Sequence, residues 1–256
     1  MNFVKKKTFA VDIDGTITEN GGGRIHLDAR EALRRLTNMG HNVIFVTGRS
    51  SVEGHLLSVF GGTGKIAVGE NGGCITLDSN EHILLGHIEE CKNAFQIIKN
   101  NIENVKEKHV FPRMTEVVLE RTFDLDLARK IVSENNLNVE LADSQYAFHI
   151  NSSGINKGTG FYEIMNNKLN MTYQNNKELN LDKRCNIYFI GNSYNLLQTI
   201  EYSNNFIHSY IIWSIISYIN LIYIQRYYFC NFNWYRISVI RYYIRFFITY
   251  SYTLQK

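Results

Sequence analysis

VDIDGTIT, residues 11–18, is the stretch of sequence that decides the fold expected of this chain. With the residues before it, this stretch predicts a buried strand from Thr8 to Asp14 that ends in two carboxylates. In an ideal strand Asp12 and Asp14 leave the same face, and the turn that follows can swing the second one over a site at the strand end. A lone Asp-x-Asp is more often a plain strand end, but the whole string favours a site. Two carboxylates there can bind a hard cation such as Mg²⁺, and one of them can act as a nucleophile.

Strands alternate with helices on both sides of this stretch, which is the pattern of a parallel sheet covered by helices. Gly40 stands where the end of the first helix is expected. The elements predicted in this rhythm are helices at 27–39 and 52–60, strands at 42–46 and 65–68, a helix starting near 157, and a strand at 186–190. The expected fold class is therefore α/β.

A second rhythm of helix, strand, helix and strand interrupts the first between about residues 83 and 149. Its predicted elements are a helix at 89–102, a strand at 116–121, a helix at 125–135 and a strand at 146–150. The change of rhythm indicates an inserted α+β domain. We therefore expect a core made of residues 1–80 and 151–201, an inserted domain at 81–150, and a separate tail at 202–256.

Further polar groups are expected beside the two aspartates, because ligands of open parallel sheets bind at the carboxyl ends of the strands. The strand in VIFVTGR, residues 43–49, ends in Thr47 and Gly48. A hydroxyl and a backbone N–H at such a strand end can both donate to an anionic ligand. Lys157 stands at a predicted helix start. Taken alone, these features are more often an ordinary turn and a surface lysine.

These three motifs resemble those of the haloacid dehalogenase superfamily of phosphotransferases, whose first motif is DxDGT. The closer resemblance is to the archaeal-type phosphoglycolate phosphatases, and it is carried by GENGG at 69–73, FHINSSGINKG at 148–158 and IGNSYN at 190–195. The similarity covers about residues 8–201. It implies a Rossmann-like α/β core with a parallel sheet, and a C2-type α+β cap inserted between the second and third motifs.

The resemblance also implies an activity and its residues. Asp12 would be the nucleophile of a phosphatase that passes through an aspartyl-phosphate, and Asp14 would be its general acid and base. The residues implied to bind phosphate are Thr47, Gly48 and Lys157, and those implied to hold Mg²⁺ are Asp12, Asp14 and, as a weaker ligand, Asn192. The implied substrate is a small phosphomonoester, 2-phosphoglycolate, with sugar phosphates as the alternative. Arg113, in the cap, is a candidate for the substrate carboxylate, although an exposed surface arginine is the more ordinary interpretation.

The fourth motif departs from the family pattern. Where the family has GDSxxD, this chain has GNSYNL at residues 191–196. Asn192 still offers a neutral carbonyl oxygen, but Leu196 offers no ligand, so up to two negative charges are missing around a doubly charged ion. We predict lowered Mg²⁺ affinity and lowered turnover. An inactive relative that still binds phosphate is the alternative to an active enzyme.

Charge and composition divide the chain at Glu201. All 24 acidic residues and all 18 glycines lie at or before it, and with 22 basic residues this part has a net charge of −2. Residues 202–256 have five basic and no acidic residues, a net charge of +5, and more than half of them are Ile, Tyr, Phe or Asn. The total of +3 therefore does not indicate a basic surface, and no nucleic-acid partner is expected.

Three interpretations of residues 202–256 remain open. A shifted reading frame is the leading one, because Ile, Tyr, Phe and Asn have codons made mainly of A and T. Residues 206–224 carry no formal charge and are long enough for a membrane span, but their polar residues disfavour one. A buried apolar structure is disfavoured by the lack of Gly and Pro turn signals.

The expected location is the cytoplasm. Cys74, Cys91, Cys185 and Cys230 share no metal-ligand or redox spacing, and no signal-peptide pattern precedes the first apolar run. The expected partner is a small phosphorylated substrate.

Overall fold

The structure, a computed structural model, describes residues 7–18, 23–165, 187–191, 209–214 and 222–226. The elements of the larger unit are β1 (Thr8–Val11), α1 (Leu27–Asn38), β2 (Asn42–Val46), α2 (Ser51–Gly61), β3 (Ala67–Gly69), β4 (Cys74–Asp78), β5 (Glu81–Leu84), α5 (Lys157–Glu163), β9 (Ile187–Ile190), β10 (Ser209–Ser214) and β11 (Ile222–Arg226). The elements of the smaller unit, inserted between β5 and α5, are α3 (Ile88–Asn101), β6 (Val117–Leu119), α4 (Leu125–Glu134), β7 (Val139–Asp143) and β8 (Phe148–Ser152).

The larger sheet of the described residues has eight strands in the order β11-β10-β9-β1-β2-β3-β4-β5. The strands from β10 to β3 in that order run parallel, whereas β4, β5 and β11 pair antiparallel with their neighbours. The expected α/β core is confirmed, with one difference: the sheet is mixed, because antiparallel strands extend its parallel centre on both sides.

The strand order reverses at β1, and this reversal marks the place along the carboxyl ends of the strands where a ligand is expected to bind. The chain moves from β1 to β2 and β3 on one side, and β9 lies on the other side of β1. Such a reversal leaves a crevice beyond the carboxyl ends of the strands. Asp12 is the first residue after β1 and therefore lies at this crevice.

Side chains of β1 and β2 alternate between two apolar layers, as expected for a sheet covered on both faces. Phe9 and Val11 pack in the layer that contains Leu33 of α1, whereas Ala10 packs in the layer that contains Phe161 of α5. The cap has an apolar core of its own between its helices and its three-stranded sheet, in the order β6-β8-β7. This cluster is separate from the two apolar layers of the larger sheet.

The sequence predicted the helices and the long apolar strands to within a few residues, and it missed five strands. Strands β4, β5 and β7 were not predicted, and neither were β10 and β11 in the tail. The predicted strand from Thr8 to Asp14 ends at Val11, because the Ile13 carbonyl accepts hydrogen bonds from the N–H groups of residues 16, 17 and 18 and closes a turn. Strand β5 belongs to the larger sheet, so the smaller unit begins after Leu84 rather than at residue 81.

The tail differs from the expectation that it stands apart from the core. Strand β10 pairs parallel with β9, and β11 pairs antiparallel with β10. The physical reason lies in the composition, because Ile and aromatic residues favour strands even where turn residues are lacking. The rest of 202–256, and the rest of the candidate span 206–224, lie outside the described residues. Within the described part of the chain, no helix is both long and apolar enough to cross a bilayer.

Candidate active site

A buried ion pair joins Asp12 to Lys157 at the centre of the crevice. Lys157 Nζ lies 3.0 Å from Asp12 Oδ1, and the two side chains are 8% and 5% exposed. A carboxylate and an ammonium group removed from water need each other, because an unpaired buried charge is strongly unfavourable. The other oxygen of Asp12, Oδ2, receives no hydrogen bond from the described residues. Asp12 is thus held by one oxygen and has the other one available.

Helix α5 positions Lys157 through the capping hydrogen bonds at its N-terminus. Asn156 precedes the helix, and its side chain accepts hydrogen bonds from the N–H groups of Gly158 and Thr159 at 2.9 and 3.0 Å. Thr159 Oγ1 in turn accepts from the Asn156 N–H at 2.9 Å, which completes a reciprocal cap. This arrangement fixes the first residue of the helix, and Lys157 is that residue.

Asp14 points to a different neighbour. Arg49 Nη2 donates to Asp14 Oδ1 at 2.7 Å, and Arg49 Nε donates to Asp14 Oδ2 at 2.8 Å, which is the two-pronged geometry of a guanidinium on a carboxylate. Arg49 Nη1 also lies 3.1 Å from Glu53 of α2. The hydrogen bond to Asp14 raises the pKa of the Arg49 guanidinium further above its already high value. Half-exposed Asp14 is thus held by Arg49, whereas the buried Asp12 is held by Lys157.

A turn at Gly15 directly follows the two aspartates, where the sequence predicts one. Gly15 has φ 68°, in the left-handed region that glycine adopts without strain. Its N–H donates to Thr18 Oγ1 at 3.1 Å, and Thr18 Oγ1 donates to the Ile13 carbonyl at 3.3 Å. The backbone therefore turns sharply after Ile13, and Asp14 becomes exposed while Asp12 stays buried.

The loop after β2 presents Gly48 in a way that suits an anion. The Thr47 carbonyl accepts from the Asn71 N–H at 3.2 Å, and the N–H of the same peptide unit belongs to Gly48. Because N–H and C=O point in opposite directions across a trans peptide, the Gly48 N–H faces away from Asn71. It donates to no described residue. Thr47 Oγ1 accepts from the Arg49 N–H at 3.1 Å and keeps its own hydrogen available to a ligand.

The GENGG turn, residues 69–73, packs against the elements around the site. The Glu70 N–H donates to the Arg49 carbonyl at 2.7 Å. A Cβ on Gly72, which has φ 103°, would lie 1.9 Å from the Asn156 carbonyl oxygen, and a Cβ on Gly69 would lie 2.1 Å from the Ser51 nitrogen. Only glycine permits such close approaches, so this turn holds the starts of α5 and α2 at fixed distances.

The same turn binds the cap through Glu70. Its Oε2 accepts from the N–H groups of Met114 and Thr115 at 2.9 and 2.7 Å, and from Thr115 Oγ1 at 2.7 Å. Glu70 is 1% exposed, and burial raises the pKa of its carboxyl, with the charge of Glu116 adding to the rise. Sequence reasoning treated GENGG only as a family landmark, because nothing local to these residues reveals a partner about 45 positions away.

Arg113 is buried at the junction of core and cap rather than exposed. Its side chain is 10% exposed, and Nη1 lies 3.1 Å from the Gly48 carbonyl oxygen and 3.3 Å from Glu116 Oε1. Glu116 also receives Asn71 Nδ2 and lies against His149 Nδ1, both at 3.0 Å from Oε2. The ordinary interpretation of Arg113 as a surface residue is therefore wrong. An arginine of the cap reaches the loop that follows β2.

The structure thus brings together most of the residues that the sequence singled out. Asp12, Lys157, Asp14, Thr47 and Gly48 lie at neighbouring strand and helix ends, and Arg49 links the last three through its contacts. Asn192, like Leu196, lies outside the described residues. Arg49 was missed as a contact of Asp14, although its place directly after Thr47 and Gly48 could have suggested it.

The donor set fits a hard cation as far as it is described. Carboxylate oxygens are the ligands that Mg²⁺ prefers, and one or two of them suffice when phosphate and water complete the shell. Asp12 Oδ2 is available, whereas Asp14 is bonded to Arg49. No group of three or more His, Cys, Asp or Glu that could hold a metal occurs among the described residues.

Comparison with known proteins points to one family. A family model described as haloacid dehalogenase-like hydrolase matches residues 9–226. A protein of Nitrosopumilus maritimus named phosphoglycolate phosphatase is 82% identical over 162 residues, which are 63% of this chain and 70% of that protein. A phosphoglycolate phosphatase of Methanosarcina mazei is 33% identical over 162 residues, which are again 63% of this chain and 70% of that protein.

Solved structures agree in fold. A protein of Thermoplasma acidophilum aligns with a TM-score of 0.61 and 20% identity, over 77% of this chain and 82% of its own. The sucrose-phosphatase of Synechocystis aligns with a TM-score of 0.55 and 15% identity, over 82% of this chain and 83% of its own. At these identities the likeness concerns the fold alone. Together with the family match, which spans most of the chain, it shows that this protein is an enzyme of the haloacid dehalogenase-like hydrolase family.

Proposed function

We propose that this protein hydrolyses 2-phosphoglycolate to glycolate and phosphate through an aspartyl-phosphate on Asp12. The observation that carries the proposal is the buried pair of Asp12 and Lys157, in which one carboxylate oxygen is held and the other is available. The choice of substrate is supported by the relatives that are named phosphoglycolate phosphatase, one of them 82% identical.

The first step is attack of Asp12 Oδ2 on phosphorus. The new bond joins Asp12 to the phosphoryl group while the bond from phosphorus to the glycolate oxygen breaks. Lys157, the Gly48 N–H and the Thr47 hydroxyl are placed to stabilise the negative charge of the phosphoryl oxygens. Mg²⁺, which Asp12, Asp14 and, as a weaker ligand, Asn192 would hold, would supply further positive charge at the phosphate.

The second carboxylate handles the proton. Asp14, in its protonated form, donates to the leaving glycolate oxygen, and as a carboxylate it then accepts a proton from the water that attacks the aspartyl-phosphate. Arg49 binds the anionic form, so Asp14 has to leave this contact or share it when it carries the proton. The contact keeps Asp14 at the site between turnovers.

An inactive relative that binds phosphate is the second candidate. Asn192 and Leu196 in place of two anionic residues favour it, because they weaken the hold on a divalent cation. The two functions differ in one measurable quantity, which is phosphate release at high Mg²⁺ concentration. The active enzyme releases phosphate in a Mg²⁺-dependent way, and the inactive relative binds the ester without cleaving it.

The test is phosphate release from 2-phosphoglycolate and from glucose 6-phosphate by the full chain. We expect turnover of 2-phosphoglycolate to exceed that of the sugar phosphate, and Asp12→Asn to abolish it. The matched control is Asp78→Asn, an exposed aspartate that pairs with Lys65 ahead of β3, at the opposite edge of the sheet. Higher turnover of glucose 6-phosphate would contradict the substrate, and unchanged turnover in Asp12→Asn would contradict the nucleophile.

A further inference from the structure

Arg113 offers one edge of its guanidinium group to a ligand. Nη1 is occupied by the Gly48 carbonyl oxygen at 3.1 Å and by Glu116 Oε1 at 3.3 Å. Nε is buried and has no hydrogen-bond partner within the described residues, and the polar contacts given above for the guanidinium group are all made by Nη1. A buried donor without a partner is unfavourable, so an acceptor that reached this edge would be favoured.

The Nε–Nη2 edge has the geometry of a carboxylate site. Two parallel N–H groups on a planar group match the two oxygens of a carboxylate, which a lysine cannot do. The anchoring of Nη1 fixes the plane of the guanidinium, so little side-chain entropy remains to be lost when a ligand binds. The side chain is also nine-tenths buried, which strengthens its interaction with a charge.

Glu116 engages only one side of the Arg113 guanidinium group. Its Oε1 lies near Nη1, and its other oxygen, Oε2, contacts Asn71 Nδ2 and His149 Nδ1, both at 3.0 Å. Glu116 therefore leaves Nε of Arg113 without an acceptor.

The position of Arg113 defines how long the ligand can be. Gly48 bonds to Arg113 through its carbonyl, and its N–H is the group proposed to bind phosphate. The two groups belong to one residue, so only a few backbone bonds, each about 1.5 Å long or less, separate its N–H from its carbonyl oxygen. A molecule that reaches both has its phosphate and its carboxylate separated by a few bonds.

We propose that Arg113 binds the carboxylate of the substrate and so selects short phosphorylated acids over neutral phosphate esters. The inference rests on the proposed function for its phosphate site, and it adds a residue of the cap that recognises the other end of the molecule. The cap thereby contributes to specificity from a position that is bonded to the core.

Binding affinities measured without Mg²⁺ test this inference without depending on turnover. The ligands are 2-phosphoglycolate and 2-hydroxyethyl phosphate, in which a hydroxymethyl group replaces the carboxylate, titrated calorimetrically into the full chain. We expect the unchanged protein to bind the acid at least about tenfold more tightly, and Arg113→Lys to reduce that ratio about tenfold, as expected for the loss of a charge-assisted hydrogen-bond pair.

The controls separate recognition from folding. Arg121→Lys changes a half-exposed cap arginine that pairs with Asp143, and it should leave the ratio unchanged. The double variant Arg113→Met with Glu116→Gln removes both buried charges together, so neither charge is left without its partner. Unlike Arg121→Lys, this double variant should bind the two ligands with similar affinity. Equal affinities in the unchanged protein, binding of neither ligand, or a ratio that survives in both Arg113 variants would overturn the inference. Phosphate release from the same samples after Mg²⁺ is added tests the proposed function separately.

Discussion

At the scale of single residues, each charged group of the site is held by a specific partner. Asp12 has Lys157, Asp14 has Arg49, and Arg113 has Glu116. Buried ion pairs contribute little net stability, because desolvation offsets their attraction. The presence of these ion pairs is better explained by phosphoryl transfer, which needs fixed positive groups and a fixed nucleophile.

Glu70 should make the stability of the protein depend on pH. Because its pKa is raised above the ordinary value of 4.5, the folded protein holds the proton more tightly than the unfolded chain does. The free energy of unfolding then falls as the pH rises above 4.5 and levels off above the raised pKa. We expect Glu70→Gln to lack this contribution, so that its stability relative to the unchanged protein improves between about pH 5 and about pH 8. Urea unfolding at both pH values measures the difference, and a constant difference would contradict the raised pKa.

Glu70→Ala separates the hydrogen bonds from the charge. It removes the acceptor of three hydrogen bonds from Met114 and Thr115, and should lower the free energy of unfolding by about 2–4 kcal/mol. Glu70→Gln retains an acceptor oxygen and should lose less. Equal losses in the two variants at the same pH would show that these bonds do not hold the cap.

The individual residues of the site differ in how well the sequence predicts them. Asp12, Thr47 and Lys157 stand where a predicted strand ends or a helix begins, so local pattern is sufficient for them. The contact of Arg113 with Gly48 joins residues 65 positions apart and depends on how the cap meets the core. Periodicity and turn chemistry carry no information about such a contact, and this explains why Arg113 could be mistaken for a surface residue.

At the scale of elements, the GENGG turn connects the cap, helix α2 and helix α5. Gly72→Ala tests this role, because the new Cβ would lie 1.9 Å from the Asn156 carbonyl oxygen at a φ of 103°. We expect a loss of about 3 kcal/mol or more in the free energy of unfolding, and lower phosphate release because Lys157 follows Asn156 directly.

Gly154→Ala is the matched control for that substitution. Gly154 also has a positive φ, 75°, but nothing lies within 4 Å of its Cβ position. It should lose only about 1 kcal/mol, the penalty of left-handed backbone without a clash. Equal losses in the two variants would mean that close packing of the turn on α5 contributes nothing.

Elements with strong local signals were predicted, and those that depend on their neighbours were not. Helix α2 begins at a reciprocal cap between Ser50 and Glu53 and ends at Gly62, so its bounds can be derived from the sequence. Strand β4 follows two glycines and lies at the centre of a hairpin arrangement with β3 and β5. Its residues include Ile and Thr, which favour strands, but the stretch is only five residues long, and the two glycines before it indicate a turn.

At the scale of the whole molecule, the tail completes one side of the larger sheet. The sequence could not predict this, because residues 202–256 contain no glycine or proline to mark where strands end. Strand β10 covers the edge of β9 that faces away from β1. An uncovered edge is a site for pairing with other chains.

Truncation at residue 201 should therefore lower solubility and the midpoint of thermal unfolding. Removing β10 and β11 leaves β9 as an edge strand beside the active-site strand β1. The comparison is between the full chain and residues 1–201, by centrifugation and thermal unfolding. If the shorter chain is more soluble and unfolds at the same or a higher temperature, the tail is an aggregation-prone addition, as expected of a shifted reading frame, and its place in the sheet is contradicted.

The central claim is that Asp12 carries the phosphoryl group during turnover. The most direct measurement is mass spectrometry of peptides after the full chain, 2-phosphoglycolate and Mg²⁺ are mixed and quenched in acid. We predict one phosphoryl group on the peptide that contains Asp12, present in Asp78→Asn and absent in Asp12→Asn. Steady release of phosphate without any phosphoryl group on that peptide, or release that continues in Asp12→Asn, would contradict the account.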